Sequence, residues 1–278
     1  HSFPTRRSSD LGETLNTSLD WWQDCARSHT LRKNLLDQDG IDPDNVIMSP
    51  DRARSRGLTS SVCFPVGNLA PEGSVIKSTA IDPTLIDPDG TYRHLGPAKV
   101  FVTEAAAIHA IKTGLIHAGD VLVLLCCGPA GAGMQEVYQI TAALKALPFG
   151  KYVAVLTDAR FSGVSTGACI GHISPEALAG GVMGRLQEGD QIEIIIDRTN
   201  LTGSVNFVGD AANPLSPEEG SRQLALRSPR TDLAPHPSPP DDTRLWAALV
   251  EASGGIWGGC VYDVDAITSQ FHKGQEVT

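Results

Sequence analysis

None of the six cysteines forms a Cys-x-x-Cys pair, so a self-contained zinc or iron–sulfur site is not expected within this chain. No apolar run is long enough to cross a bilayer, and there is no internal repeat. Positive charge is scarce: 22 Lys and Arg stand against 32 Asp and Glu, a net charge of −10. That balance argues against holding nucleic acid or an anionic membrane through a general field. It leaves an anionic substrate open, because a local cation or dipole overrides the global sign. Cys126 and Cys127 are adjacent at the end of an apolar run, which suits core thiols in a reducing, cytoplasmic setting better than disulfides. The first eleven residues lack the apolar core of a signal peptide and read as adaptor or cloning-derived sequence, so the chain is expected to begin in mid-protein, at Gly12.

What is present is a chain of 278 residues, 41% apolar and 19% charged, enough for one large domain or two modest ones. Its centre is the stretch from Lys151 to His172. An apolar run, Tyr152 to Leu156, predicts a buried strand. Thr157, Asp158, Arg160, Ser162, Ser165, Thr166 and His172 follow, punctuated by Gly163, Gly167 and Gly171. A strand that delivers polar side chains and glycines at its C-terminal end is how many folds build sites.

In chain order, residues 12–60 predict a helical connector whose Trp21-Trp22 pair needs a surface to cover. Residues 61–82 predict strand, loop and strand, with Asn68, Glu72 and Lys77 as the polar members. Residues 98–102 predict a strand, and Thr103 caps a helix expected through Lys112, with Gly114 as the stop. Residues 120–127 are the most apolar strand. The loop Gly128-Pro-Ala-Gly-Ala-Gly133 then leads into a helix expected from about Met134 to Leu147, with Glu136 in its first turn, where the macrodipole favours a carboxylate. Further strands are expected at 191–197 and 203–208. A Pro-rich connection and helical extension occupy 213–278, with one helix near 216–226.

Three chemical readings compete for the glycine-rich loops. A phosphate loop would use strand, Gly-rich turn and helix N-terminus, but the spacing is not Gly-x-Gly-x-x-Gly, Pro129 removes a donor and no Gly-Lys-Ser/Thr follows. A serine hydrolase is suggested by Gly163-Val-Ser165-Thr-Gly167 with Asp197 and His236, yet Gly163 stands seven residues after Leu156, too far for a nucleophile elbow. The third reading is proton abstraction beside a metal. Glu136 and Ser162 follow adjacent strands, and one carboxylate plus substrate oxygens and water is ordinary magnesium coordination. This reading uses Glu136, Asp158, Arg160 and Ser162 together.

Four motifs carry a resemblance: Gly67-Asn-Leu-Ala-Pro-Glu-Gly-Ser-Val-Ile-Lys77, Gly128-Pro-x-Gly-x-Gly-Met-x-Glu136, Thr157-Asp-x-Arg-Phe-Ser-Gly163 and Gly171-His-x-Ser-Pro-Glu-Ala177. In this order they resemble the C-terminal part of the iron–sulfur dehydratases of dihydroxy acids and sugar acids. Leu19-Asp-Trp-Trp22, Ile47-Met-Ser-Pro50, Lys77-Ser-Thr-Ala-Ile-Asp82, Gly163-Val-Ser-Thr-Gly-Ala-Cys-Ile-Gly171 and Pro240-Asp-Asp-Thr-Arg-Leu-Trp246 are similar to the D-xylonate branch. The likeness covers roughly residues 12–272 and departs from the wider pattern at Gln135 and Cys127, which bears on substrate preference.

The resemblance implies a mixed α/β fold, a β-barrel-like swivelling β/β/α domain at 61–212 flanked by helices. It implies a hydro-lyase that dehydrates a sugar acid, D-xylonate foremost, to a 2-keto-3-deoxy acid. Ser162, as alkoxide, would be the base. Glu136 would bind Mg2+, and Lys77, Arg160 and Ser165 would serve the substrate. Magnesium and an iron–sulfur cluster (2Fe-2S or 4Fe-4S) would act as Lewis acids, with the cluster ligands in an N-terminal domain outside this chain and none among its own cysteines. The implied partners are the small sugar acid, the chain's own N-terminal domain and further copies in a homo-oligomer, with neither nucleic acid nor membrane. The alternatives are a dihydroxy-acid dehydratase of branched-chain amino-acid synthesis and, for the isolated chain, a non-catalytic swivel or docking domain.

Overall fold

The computed structural model describes residues 15–56, 61–255 and 261–275, which fall into two units, one within residues 1–59 and one within 60–278. The adaptor-like segment 1–11 and Cys260 lie outside the described residues. The first unit is helical. It comprises α1 (Leu15–Asp24), α2 (Ala26–Asp39), α3 (Pro43–Val46) and α4 (Pro50–Ser55). Local chemistry sets each boundary. Gly40 closes α2 in the left-handed region, and Asp42 and Ser49 cap α3 and α4, each followed by proline at the first helical position. Arg52 links back to Asp42 at 2.7 Å and to Asn45 at 2.8 Å. Trp21 and Trp22 are 65% and 41% exposed, with ring centroids 6.4 Å apart.

The second unit is built on β1 (Val62–Cys63), β2 (Val75–Lys77), β3 (Thr91–Phe101), α5 (Glu104–Lys112), β4 (Val121–Leu124), α6 (Pro129–Ala132), β5 (Glu136–Val137), α7 (Gln139–Lys145), β6 (Ala154–Thr157), β7 (Arg160–Phe161), β8 (Cys169–Gly171), β9 (Gln191–Asp197), β10 (Thr202–Phe207), α8 (Pro217–Leu226), α9 (Asp241–Ala252) and α10 (Val264–Gln275). Eight strands form one mixed sheet in the order β1-β2-β8-β6-β4-β3-β9-β10. The central four, β8, β6, β4 and β3, are parallel to one another, and the flanking pairs are antiparallel. The sheet nearly closes on itself. Past the end of β1, Val66 donates its N–H to the Gly203 carbonyl at 3.1 Å and accepts from Val205 at 2.9 Å. Asn68 latches the seam: its amide group donates to the Phe207 carbonyl at 2.8 Å, its oxygen accepts from the Phe207 N–H at 2.7 Å, and its own N–H goes to Asn206 at 2.9 Å. Gly67 must be glycine here, because a Cβ would lie 2.3 Å from the Val205 carbonyl oxygen.

The parallel strands are buried on both faces, which is why they read as unbroken apolar runs. Val121, Val123, Ala154 and Leu156 point into the barrel with Ile170, Ile192, Ile194, Ile196, Val205 and Phe207. Leu122, Leu124 and Val155 point outward onto Ala107, Ala110 and Ile111 of α5 and Ile140 and Leu144 of α7. The α/β fold expected from the sequence, a barrel-like sheet flanked by helices, is what the chain adopts.

Three local expectations are corrected. The helix expected from Met134 to Leu147 is only α7. Gly133 and Met134 both take left-handed backbone, with φ of 67° and 61°, and break the chain direction. Glu136 consequently sits on β5, a two-residue strand paired with β7, and not in the first turn of a helix. The strand expected at 98–102 begins seven residues earlier, at Thr91. It runs through Gly96 and Pro97, residues that ordinarily interrupt a strand. The stretch after β6, read as one loop, holds two further short strands, β7 and β8.

Candidate active site

The four parallel strands deliver their C-terminal ends to one rim, the position where sheets of this kind place ligands. Two glycine-rich segments leave that rim from neighbouring strands, one after β4 and one after β6.

The segment after β4 wraps its own carboxylate. Glu176 is 5% exposed, and its two oxygens accept the Ala130 N–H at 2.9 and 3.1 Å. Beside it the buried Asp158 accepts N–H groups from Cys127 at 3.0 Å, Cys126 at 3.2 Å and Ala177 at 3.2 Å. Burial pushes Glu176 up to about 7, and the Asp158 charge adds to the effect. Burial likewise raises Asp158 despite its three amide donors. The Ala130 N–H, which a phosphate loop would turn to its ligand, is therefore already taken by a carboxyl group of the protein. Asp158, which the metal reading placed in the site, instead ties strand ends together.

The segment after β6 is built from side-chain links. In the β5–β7 pair Glu136 stands opposite Arg160 and Val137 opposite Phe161. Arg160 donates to the Glu136 carboxylate at 3.1 Å and to the Met134 carbonyl at 3.1 Å. Ser162 comes next, half-buried, and its carbonyl accepts the Ser165 N–H at 3.0 Å, closing a tight turn. Its hydroxyl receives only a long contact from the Val164 N–H, at 3.5 Å. Lys77 donates to the Gly163 carbonyl at 3.0 Å, which leaves the other ammonium protons facing outward. A cleft of about 130 Å3 is lined by Lys77, Phe161, Ser162, Ser165, Cys169 and His172. Partial burial, and then the nearby Arg160 charge, hold His172 below its ordinary value, so its ring favours the neutral form.

Ser162, Glu136 and Arg160 thus gather around two short strands, and Lys77, beside the N-terminal end of β8, meets the same segment at Gly163. Ser165 stands apart from them in role. It is 8% exposed, and its hydroxyl meets that of Thr141 at 3.2 Å. The hydrolase grouping is not assembled: Asp197 binds the N–H groups of Thr199 and Asn200, and His236 Nδ1 accepts from Ser238. Glu72 is an exposed turn residue and His109 an exposed helix residue. Thr141, Glu176 and His172 received no role from the sequence. Glu176 and His172 lie inside quoted motifs, whereas nothing local marks Thr141.

The donor chemistry fits one of the two implied metal groups. Glu136 is a hard oxygen donor, 39% exposed, with one oxygen engaged by Arg160, and so it suits a single position in a magnesium shell. Among the described residues no three His, Cys, Asp or Glu side chains are grouped to hold a metal ion, so the other donors would be substrate, water or residues outside this set. The buried cysteines behave as core thiols: burial pushes Cys126 up to about 11 and Cys127 and Cys169 up to about 12, and none of them lies in a group of three metal-binding side chains among the described residues.

The chain is similar to known proteins over most of its length. Residues 46–217 match the family described as dihydroxy-acid/6-phosphogluconate dehydratase C-terminal. Two D-xylonate dehydratases of Escherichia coli K12, YagF and YjhG, are each 57% identical to the chain, over 95% and 92% of its length. A dihydroxy-acid dehydratase of Lachnoclostridium phytofermentans is 40% identical over 72% of the chain. The chain spans 40%, 39% and 33% of the lengths of these three relatives.

Proposed function

The chain belongs to the dihydroxy-acid/6-phosphogluconate dehydratase C-terminal family, and from that premise we propose that it is the C-terminal part of a hydro-lyase that converts a sugar acid, D-xylonate foremost, to a 2-keto-3-deoxy acid. The observation that carries the reading is the β5–β7 pair, which sets Glu136 against Arg160 two residues before Ser162. Identity to the D-xylonate dehydratases is higher and longer than to the dihydroxy-acid dehydratase, and this favours a sugar acid as substrate.

In this proposal Ser162 Oγ accepts the proton from C2 of the substrate. Magnesium held by Glu136 and by donors beyond this chain would supply positive charge beside the substrate carboxylate and 2-hydroxyl, acidifying the C2 proton and lowering the pKa of the serine. Arg160 fixes the direction of Glu136, and Lys77 offers its remaining N–H groups to the carboxylate. Loss of the C2 proton and of the 3-hydroxyl as water leaves an enol, which tautomerises to the 2-keto acid. The implied iron–sulfur cluster would take its ligands outside the described residues, in the N-terminal domain of a cytoplasmic, homo-oligomeric enzyme.

The test is release of 2-keto acid by the full-length protein, reconstituted anaerobically with iron, sulfide and magnesium. D-xylonate is to be compared with other aldonates and with dihydroxyisovalerate. Ser162→Ala should lower turnover by about 10²- to 10⁴-fold, the usual contribution of a positioned base. Preferred turnover of dihydroxyisovalerate would move the assignment to the dihydroxy-acid branch. No turnover of any dihydroxy acid with the cluster loaded would leave only the docking-domain role.

A further inference from the structure

We propose that Thr141, a helix residue outside every motif quoted above, positions the base: through Ser165 it fixes the Ser162 turn at a set distance from the strand that carries Glu136. The inference rests on the functional reading just given.

The segment 163–167 has little packing to hold it. The cleft beside Ser162 and a larger crevice of about 830 Å3 are both lined by Lys77, Gly163, Ser165, Gly167 and Cys169. Val164, at the tip, is 71% exposed. A segment bordered by so much open space keeps its shape through hydrogen bonds, and few serve this one. Gly167 donates to the Ala80 carbonyl at 2.8 Å, and Lys77 reaches the Gly163 carbonyl. Two further side-chain anchors are the Cys169 thiol, which donates to the Thr166 carbonyl at 3.4 Å, and the buried hydroxyl pair, Thr141 with Ser165.

Its polarity follows from counting protons. The Thr141 hydroxyl has one hydrogen and donates it to the Tyr138 carbonyl at 2.9 Å. It must then accept from Ser165, so a directed relay runs from Ser165 Oγ to Thr141 Oγ1 to the Tyr138 carbonyl. Tyr138 is the residue after β5, two past Glu136. Ser165 is in turn joined to Ser162 by the N–H to carbonyl bond that closes the turn. Besides the β5–β7 pairing, two side-chain cross-links therefore connect the arm of the base to the arm of the carboxylate. Arg160 to Glu136 and Met134 is exposed, whereas Ser165 to Thr141 joins two buried side chains and continues to the Tyr138 carbonyl in a part-buried bond. The second link is the better shielded from water and so the more rigid. A shift of about 1 Å in a reacting group can cost about 100-fold in rate.

The experiment uses the reconstituted full-length enzyme. Thr141→Val keeps the shape and removes the hydroxyl. It should lower kcat about tenfold to 100-fold, with KM changed less than about twofold. The isotope effect with C2-deuterated D-xylonate should rise as proton removal becomes limiting. Thr141→Ser should restore the rate to within about threefold of wild type. Ser165→Ala cuts the same link from its other end, so the double variant should be no worse than either single one. Amide hydrogen exchange across residues 163–167 should quicken in Thr141→Val and Ser165→Ala but not in Thr141→Ser. The proposal is overturned by a wild-type kcat and isotope effect in Thr141→Val, by failure of serine to rescue, or by additive losses in the double variant. If wild type turns over no dihydroxy acid, the functional reading fails by itself. The exchange data then decide the link: faster exchange confined to the variants lacking a hydroxyl supports it, and unchanged exchange overturns it.

Discussion

The segments after β4 and β6 start from adjacent parallel strands, end at the same rim and share a richness in glycine, yet opposite means hold them. The first is folded around buried carboxylates, with Glu176 on the Ala130 amide and Asp158 on three more. Its glycines are there because neighbours crowd them: a Cβ on Gly131 would lie 2.1 Å from the Cys126 carbonyl oxygen. The second is half-exposed and held by side chains reaching across from β2, β5 and α7, and a Cβ on Gly163 would meet nothing within 4 Å. The difference separates scaffold from chemistry. Changes to the first segment should act on stability, and changes to the second on rate.

The sharpest way to break that division is Gly131→Ala. The contact is with backbone, which cannot swing aside, so destabilisation of about 3 kcal/mol is expected, read as a lowered denaturation midpoint of the chain. A midpoint unchanged by this substitution would show that the first segment is not rigid. Next is the pH dependence of stability. Glu176 is raised from an ordinary 4.5 to about 7, so the folded state holds a proton that the unfolded state has released. Its contribution is full below about pH 4.5 and is lost as pH rises through about 7, an effect on the order of 2 kcal/mol. Glu176→Gln should flatten that slope between about pH 5 and pH 8, and an equally steep slope in the variant would place its origin elsewhere. The smallest stability effect is expected in the second segment. Arg160→Gln breaks an ion pair whose partners are 47% and 39% exposed, worth less than about 1 kcal/mol. In the keto-acid assay the same change should cost about tenfold in kcat, because Glu136 loses its support.

Much of this contrast is legible in the amino-acid sequence. The apolar runs of β4 and β6 and the alternation of β9 are signals of burial, and burial is what the sheet imposes on them. The succession of strands and motifs places Glu136 and Ser162 on one rim. Other features depend on partners far along the chain. The helical spacing of Val137, Ile140 and Leu144 conceals the break at Met134, because Val137 is buried by strand pairing with Phe161 rather than by a helix face. The first half of β3 is hidden by Gly96 and Pro97, which β9 accepts as a pairing edge. The phosphate-like loop cannot be told from a carboxyl-binding one by its own residues, since the carboxyl group that fills it lies 46 residues downstream. Thr141 carries no local mark, because its role arises only where α7 meets the turn after Ser162.

The latch at Asn68 has a consequence for the life of the chain before it is folded. Its partner Asn206 lies 138 residues later, so the seam of the barrel cannot form until nearly all of the sheet has been synthesised. Until then β1 and the free side of β9 present unpaired backbone to solvent, and such edges recruit other strands. Long-range closure of this kind is also slow, because the entropy of the intervening loop opposes it before any contact compensates. A ribosome stalled or a chain cut just before Thr202 would thus release a sheet with two open edges, prone to aggregate, whereas a cut after the seam would release one whose edges have already met.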